Sequence, residues 1–306
     1  VIGNILLTLG TFALFSSGLD VLQSPYYHWF RDVAGGKITD LTYHFFRIVL
    51  NEHLPIVPLL ITLLGTYIFS SRAADNKPTQ PSKTTLTLAV LLLIILSVNL
   101  TRVYYLALGV GLASFCTFQQ VRRWVLVSIC SLTLLAGSFV TMHTLASRGK
   151  SLGLELFGLR LQSIASPATE DSSLSRLLLL PNILEKIKQH PITGDGLGDQ
   201  VTVYSPVIKQ TITTPQFDWG YFELVAEFGA ITLIGWAAFI GMLIRNFWLI
   251  RSTPNVRSLF ASFITLSVIN ITSPAFFHVL GILWLAGVLA ETVRIKKQLV
   301  PELPLS

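Results

Sequence analysis

The sequence predicts an all-α fold: a polytopic transmembrane helix bundle of about eight spans, with one large external loop that contains an amphipathic helix. Two observations predict it. Of 306 residues, 52% are hydrophobic and only 12% charged, whereas a soluble domain carries about a quarter charged residues, so this chain has too few to solvate a globular surface. Its apolar residues also fall in long unbroken runs, as bilayer-crossing helices require. This composition excludes a cytosolic enzyme, a disordered chain and a disulfide scaffold. The formal charge of +6 bears on membrane orientation and not on nucleic-acid binding. Cys116 and Cys130 lie in apolar runs without metal-like spacing and are expected as small buried hydrophobes.

A spanning helix needs about 20 mostly apolar residues, and runs of that kind cover 2–19, 54–70, 124–143, 222–248, 258–273 and 275–293. The chain begins with Val1 rather than Met, already at the first of these runs, so it reads as a fragment or processed product. It lacks the basic leader and small-residue cleavage site of a signal peptide. The run 86–118 is too long for one crossing and short for two, and Asn99-Leu-Thr-Arg102 interrupts it. Charge bias reads it as a hairpin with Arg102 near the tip. Arg72, Lys77 and Lys83, Arg122 and Arg123, Arg245, Arg251 and Arg257, and Arg294, Lys296 and Lys297 then share one side, the cytoplasmic one.

That threading gives three parts: amino-terminal transmembrane helices with the Arg102 hairpin (1–143), an external loop (144–221), and carboxy-terminal transmembrane helices with a cytoplasmic tail (222–306). Segment 20–53 is external too. The stretch 70–83, with Pro78 and Pro81, is a polar connector. A loop as long as 144–221 is uncommon unless it binds or catalyses, so function is expected there.

Within the loop, Ser173 and Ser175 precede Arg176, and Leu177, Leu180, Ile183, Leu184 and Ile187 recur at helical spacing while Glu185, Lys186 and Lys188 take the other face. This is an amphipathic helix with Arg176 in its first turn; covering the tops of the spans is the plain alternative. Pro191-Ile-Thr-Gly194-Asp-Gly196-Leu-Gly198 follows, with glycines that permit positive φ and close approach of N–H groups to an anion, or simply a turn. No Lys-Ser/Thr completes a P-loop. Arg102, near membrane depth, faces a cavity or partner, or snorkels to external headgroups. Asp218, Tyr221 and Glu227 approach one face of a helix start, where Asp218 serves as a cap or a base. Glu227 lies a turn or more into the span and needs a partner, an arginine being the natural one. The histidines are scattered without ligand spacing, so no metal or other cofactor is expected.

Thr101-Arg102 between two hydrophobic arms, Arg176 ahead of a helix ending in His190-Pro-Ile-Thr-Gly-Asp-Gly-Leu-Gly198, and an aromatic-acidic helix start ending in Glu227-Phe-Gly229 together resemble the O-antigen ligase and O-antigen polymerase superfamily over roughly 85–245. The resemblance implies a polytopic C-type glycosyltransferase of the bacterial inner membrane, its large loop on the periplasmic side closing over a lipid-linked donor. It implies transfer of a glycan from undecaprenyl diphosphate to a glycan or lipid-linked acceptor, without nucleotide sugar or essential metal. Arg102 and Arg176, with Arg160 as a third, would hold the diphosphate, which suits a bidentate, permanently charged guanidinium. Gly194, Gly196 and Gly198 would shape the donor pocket, and Glu227 would orient an arginine. One departure stands out: the family's histidine, about nine residues before the Glu-x-Gly, is here Asp218. A carboxylate can take a proton from a sugar hydroxyl but cannot copy an imidazole donor, which favours polymerisation or another glycan transfer over ligation to lipid A core. A lipid or solute transporter or flippase and a catalytically inactive relative are the other readings. Acidic residues recurring at mid-membrane depth would mark the transporter, and apart from Glu227 they are nearly absent.

Overall fold

The structure is a computed structural model that describes residues 2–17, 24–42, 45–69, 82–116, 120–156, 158–159, 171–205, 209–215, 217–251 and 253–299. Arg160, and Arg72, Lys77, Pro78 and Pro81 of the connector, lie outside the described residues. The elements in chain order are α1 (Ile2–Ser16), α2 (Pro25–Asp32), β1 (Lys37–Thr42), β2 (Phe45–Val49), a 3-10 turn (Asn51–His53), α3 (Ile56–Ile68), α4 (Lys83–Asn99), α5 (Arg102–Ala113), α6 (Val121–Ala146), α7 (Asp171–Gln189), β3 (Val201–Ser205), β4 (Gln210–Thr214), α8 (Gly220–Leu249), α9 (Pro254–Ile269) and α10 (Val279–Leu299). The fold is mostly helical, as its composition requires, but two short antiparallel hairpins, β1–β2 and β3–β4, qualify the all-α expectation. Both arise where β-branched and aromatic residues cluster in the polar segments, as in Phe45-Phe-Arg-Ile-Val and Val201-Thr-Val-Tyr. Two compact units result, residues 1–159 with 252–265 and residues 160–251 with 266–306.

In the first unit, Ser24 starts α2 by accepting the Tyr27 N–H at 3.2 Å, with Pro25 at the first helical position. The β1–β2 hairpin pairs Ile38 with Ile48 and Asp40 with Phe46. It drives Phe45, Phe46 and Ile48 into an aromatic core with Phe12 and Phe15 of α1 and Phe139 of α6. Phe45 meets Phe12 and Phe139 edge-on, at 5.6 and 5.7 Å between centroids, the arrangement ring quadrupoles favour. From the contact of His53 with Asn99, α3 runs back along α4. It then runs in the same direction as α5, Ile61 lying against Gly111 and Phe115 near Gly65. The chain therefore reverses between α4 and α5. It does so on Leu100, a non-glycine residue at φ 50° whose side chain is buried in the aromatic core. That backbone conformation costs a bulky residue roughly 1–2 kcal/mol, which burial of the leucine offsets.

In the second unit, Leu179 and Ile183 of α7, flanked by Ile187, pack against Val201 of β3 and against Phe217 and Ala226. This corrects the expected apolar stripe: Leu177 and Leu184 face outward. The narrow i, i+4 row that meets β3 and the start of α8 selects the buried face. The helix also begins at Asp171 and carries Pro181 inside it, so Arg176 sits in its second turn and not its first.

Helix α8 is broken at Gly229 (φ 66°, ψ −172°). Among the described residues, α6 and α8 are the two helices long and apolar enough to cross a membrane, and α1, α4, α5 and α9 are shorter apolar helices. Leu126, Ile129 and Leu132 on α6 and Ile234 and Trp248 on α8 point outward, as lipid-facing residues do. Cys116 and Cys130 are exposed, not buried as expected. Cys130 shares the outward apolar side of α6, where a weakly polar thiol is at no disadvantage.

Candidate functional site

Arg102 is the first residue of α5, immediately after the reversal. Strand β2 presents Arg47 to the same turn, its Nε donating to the Asn99 carbonyl at 2.9 Å and its Nη2 to Thr101 Oγ1 at 3.1 Å. Thr101 occupies the N-cap position without making a side-chain cap; its hydroxyl accepts from Arg47. Asn99 is fully buried. It accepts the Thr101 N–H at 3.1 Å through Oδ1 and donates through Nδ2 to His53 Nδ1 at 2.8 Å. His53 Nδ1 also faces the Leu50 N–H at 3.4 Å, so it is the acceptor and the ring proton sits on Nε2. That proton is donated to Thr8 Oγ1 at 3.0 Å, which donates in turn to the Asn4 carbonyl at 2.7 Å. Burial lowers the His53 pKa to about 4, so the ring is neutral near pH 7. Arg102 stands out in the sequence, where it interrupts an apolar run, and Arg47 does not. The available signal for Arg47 was one arginine inside the strand-like run Phe45-Phe-Arg-Ile-Val.

The second unit brings Arg176 and Asp218 together. Arg176 Nε lies 3.5 Å from Asp218 Oδ2, the side chains being 30% and 45% exposed. The Arg176 carbonyl accepts the indole N–H of Trp219 at 2.9 Å, which ties α7 to the start of α8. Asp218 does not cap α8. Trp219 holds that position, and Asp218 stands before it at φ 56°, a left-handed conformation that Asp tolerates better than most residues. Glu223, given no role from sequence, is buried and accepts the Phe217 N–H at 3.2 Å. It fixes the turn that presents Asp218. Tyr221 does not join this group: its hydroxyl donates to the Ser267 carbonyl at 2.9 Å and its ring packs on Phe276.

The glycine-rich loop is spliced into the α8 hydrogen-bond ladder. In an unbroken helix the Ala226 and Glu227 carbonyls would accept from Ala230 and Ile231. With Gly229 broken, they accept instead from Asp195 N–H and Gly196 N–H, each at 2.9 Å. The freed Ala230 and Ile231 N–H groups donate to Pro191 and Ile192 carbonyls at 2.9 and 3.3 Å. Four groups that the kink would orphan are thereby satisfied.

The fit leaves no room for side chains. A Cβ on Gly194 would strike the Glu227 backbone, and one on Gly229 would strike Ile192. Gly196 and Gly198, also at positive φ, have open space around them. Glu227 is buried and accepts the Gly198 N–H at 3.0 Å. Among the described residues its partner is thus a loop amide and not the arginine expected. Lys186, expected on the solvent face of α7, instead holds the loop's other end through ion pairs to Asp199 and to Asp195 at 3.5 Å. His190 Nε2 lies 3.4 Å from Asp195 Oδ1.

The second unit thus holds an arginine–carboxylate pair beside a loop whose Gly194, Asp195, Gly196 and Gly198 amides are already bonded to His190 and α8, and the first unit by itself holds an arginine at a helix start. The arginines are groups for binding an anion and the carboxylate one for taking a proton; none is a preassembled hydrolytic triad. Among the described residues no three His, Cys, Asp or Glu side chains cluster as a metal site. Residues 87–237 match the O-antigen ligase family, a stretch that contains Arg102, Arg176, the glycine loop, Asp218 and Glu227. No curated protein and no solved structure gives a significant match.

Proposed function

We propose that this chain, whose residues 87–237 belong to the O-antigen ligase family of membrane glycosyltransferases, transfers or polymerises a glycan carried on undecaprenyl diphosphate. The observation that carries the reading is the Arg176–Asp218 pair. It is partly exposed, and such a pair contributes about 0–1 kcal/mol, so a dianionic diphosphate making charge-assisted bidentate bonds can displace the carboxylate. Arg176, Arg102 and Arg160 then hold the diphosphate and stabilise the charge that grows on it as the sugar departs. The displaced Asp218 becomes the general base. The acceptor hydroxyl gives its proton to Asp218 while its oxygen bonds to the sugar's anomeric carbon, and the bond from that carbon to the phosphate oxygen breaks, releasing undecaprenyl diphosphate.

The threading that fits this chemistry has about eight spans in the bacterial inner membrane. Parts 1–143 and 222–306 hold the transmembrane helices, and 144–221 lies on the periplasmic side, where the Gly194–Gly198 loop, fastened by Glu227, shapes the donor pocket. Membrane lipid and a glycan or lipid-linked acceptor complete the partners. The test reconstitutes the full-length protein with undecaprenyl-diphosphate-linked glycan and reads product size on a gel. A ladder means polymerase and a single transfer means ligase. Arg176→Ala should cut transfer at least ~10²-fold with membrane insertion intact. Intact, folded protein that consumes no donor, or an Arg176→Ala variant of normal activity, would overturn the proposal.

A further inference from the structure

We infer that Arg47 is a positioning residue for Arg102, holding open the reversal from which Arg102 emerges; this rests on the reading that Arg102 serves the donor's diphosphate. The tip Asn99-Leu100-Thr101 contains no Gly, and the left-handed position falls on Leu100 and not on Asn99, although Gly and Asn are the residues that ordinarily permit it. Left to local preference, Leu100 would be right-handed and α4 would continue into α5 as one rod. The turn is therefore imposed from outside. Leu100 is anchored in the aromatic core, and Arg47 bonds the residues on either side of it, at the Asn99 carbonyl and the Thr101 hydroxyl.

Both bonds matter for α5. Arg47 takes the Asn99 carbonyl at the very end of α4, where a continuing helix would need it for the N–H four residues on, that of Val103. It also takes the hydroxyl that would otherwise cap α5. Behind Asn99, the chain through His53 and Thr8 to the Asn4 carbonyl fixes the amide. Its donors and acceptors alternate without a mismatch, so the network defines one orientation of the tip. Arg102, one residue beyond, inherits that orientation. Arg47 acts through the backbone of the turn, and a lysine cannot replace it, since one ammonium cannot reproduce the planar fork that spans two acceptors.

The test measures consumption of undecaprenyl-diphosphate-linked glycan by the reconstituted full-length protein at varied donor concentration. Arg102→Lys should lower kcat/KM at least ~tenfold, and Arg47→Lys should lower it about tenfold. The double variant should be no worse than Arg102→Lys alone, because residues acting through one another are not additive. Thr101→Val, which keeps shape and removes the acceptor, should reproduce the Arg47→Lys loss, and Thr101→Ser should restore activity. The Thr101 pair carries the test if Arg47→Lys fails to fold. Losses that multiply in the double variant, or a Thr101→Ser protein as weak as Thr101→Val, would overturn the positioning role and leave Arg102's role standing. An Arg102→Lys protein of full activity would remove the reading beneath both.

Discussion

Arg102 and Arg176 are the same side chain in two kinds of setting. The turn that carries Arg102 is held by buried, mutually satisfied groups: Asn99 and His53 are fully buried, and Arg47 bonds both flanks of Leu100. Arg176 faces a single carboxylate at 3.5 Å across a partly exposed gap. The first arrangement fixes geometry before any substrate arrives, and the second offers a partner that substrate can replace. On the proposed function, a fixed turn serves to orient an anion and an exchangeable pair serves to release a base.

The sharpest way to break this comparison is Asp218→Asn. If Asp218 is base and placeholder at once, turnover should fall about 10²–10⁴-fold, while affinity for undecaprenyl diphosphate, measured by equilibrium binding, should hold or rise because the competing charge is gone. Asn99→Ala should do the opposite to affinity, weakening it. Weaker binding by Asp218→Asn would mean that the carboxylate holds Arg176 in place and is not exchanged.

Next in size is the splice at the α8 kink, the rigid element beside the exchangeable pair. Gly194→Val puts a branched side chain at φ 69° against the Glu227 backbone, and should lower unfolding stability by roughly 3 kcal/mol or prevent folding. Gly196→Val, in open space at φ 98°, should cost about 1–2 kcal/mol. Equal losses in thermal unfolding would mean that the loop is not locked into the helix.

Acid should act on the Arg102 side in particular. His53 titrates near 4 in the folded chain and near 6.5 unfolded. Its contribution is therefore complete above about pH 6.5 and falls by roughly 1 kcal/mol per pH unit as pH drops toward 4, where the unfolded chain binds the proton first. Apparent Tm across that range should slope less in His53→Gln. An unchanged slope would mean that the imidazole is charged, or free to leave the network.

The helices and the family were legible in the sequence because apolar run length and the order of Arg102, Arg176, the glycines and Glu227 are local properties of the chain. What escaped was tertiary. The φ of Leu100 and the role of Arg47 depend on a contact between residues 47 and 99–101 that no periodicity encodes. The buried face of α7 was misread by about one residue because β3, not a membrane span, selects it. Gly194 was seen as a glycine that could approach an anion, and it does approach carbonyls closely, those of a broken helix whose kink at Gly229 carries no sequence mark beyond the glycine itself. Asp218 looked like a cap because caps are read from residue type, whereas its φ puts it one residue ahead of that position.

The smallest expected effect lies at Lys186. Desolvation alone would lower its pKa, but the hydrogen bond and charge of Asp199, then those of Asp195, outweigh it and raise the value. Asp199 answers in kind, burial pushing it up and Lys186 pulling it below the ordinary carboxylate range. The pair thus contributes at neutral pH, and its contribution is lost as pH falls through the depressed Asp199 value or rises through the elevated Lys186 value. Because all three side chains keep some exposure, Lys186→Met should lower stability by no more than about 1 kcal/mol, and salt should shrink the wild-type advantage. The loop would still be held by its four backbone bonds to α8, so donor turnover should stay within about twofold of wild type, less than the ~1.4 kcal/mol that a tenfold change represents. A larger loss of turnover with little change in Tm would move Lys186 from fastening the loop to serving the site, and would make the second unit hold a fixed cation as the first does.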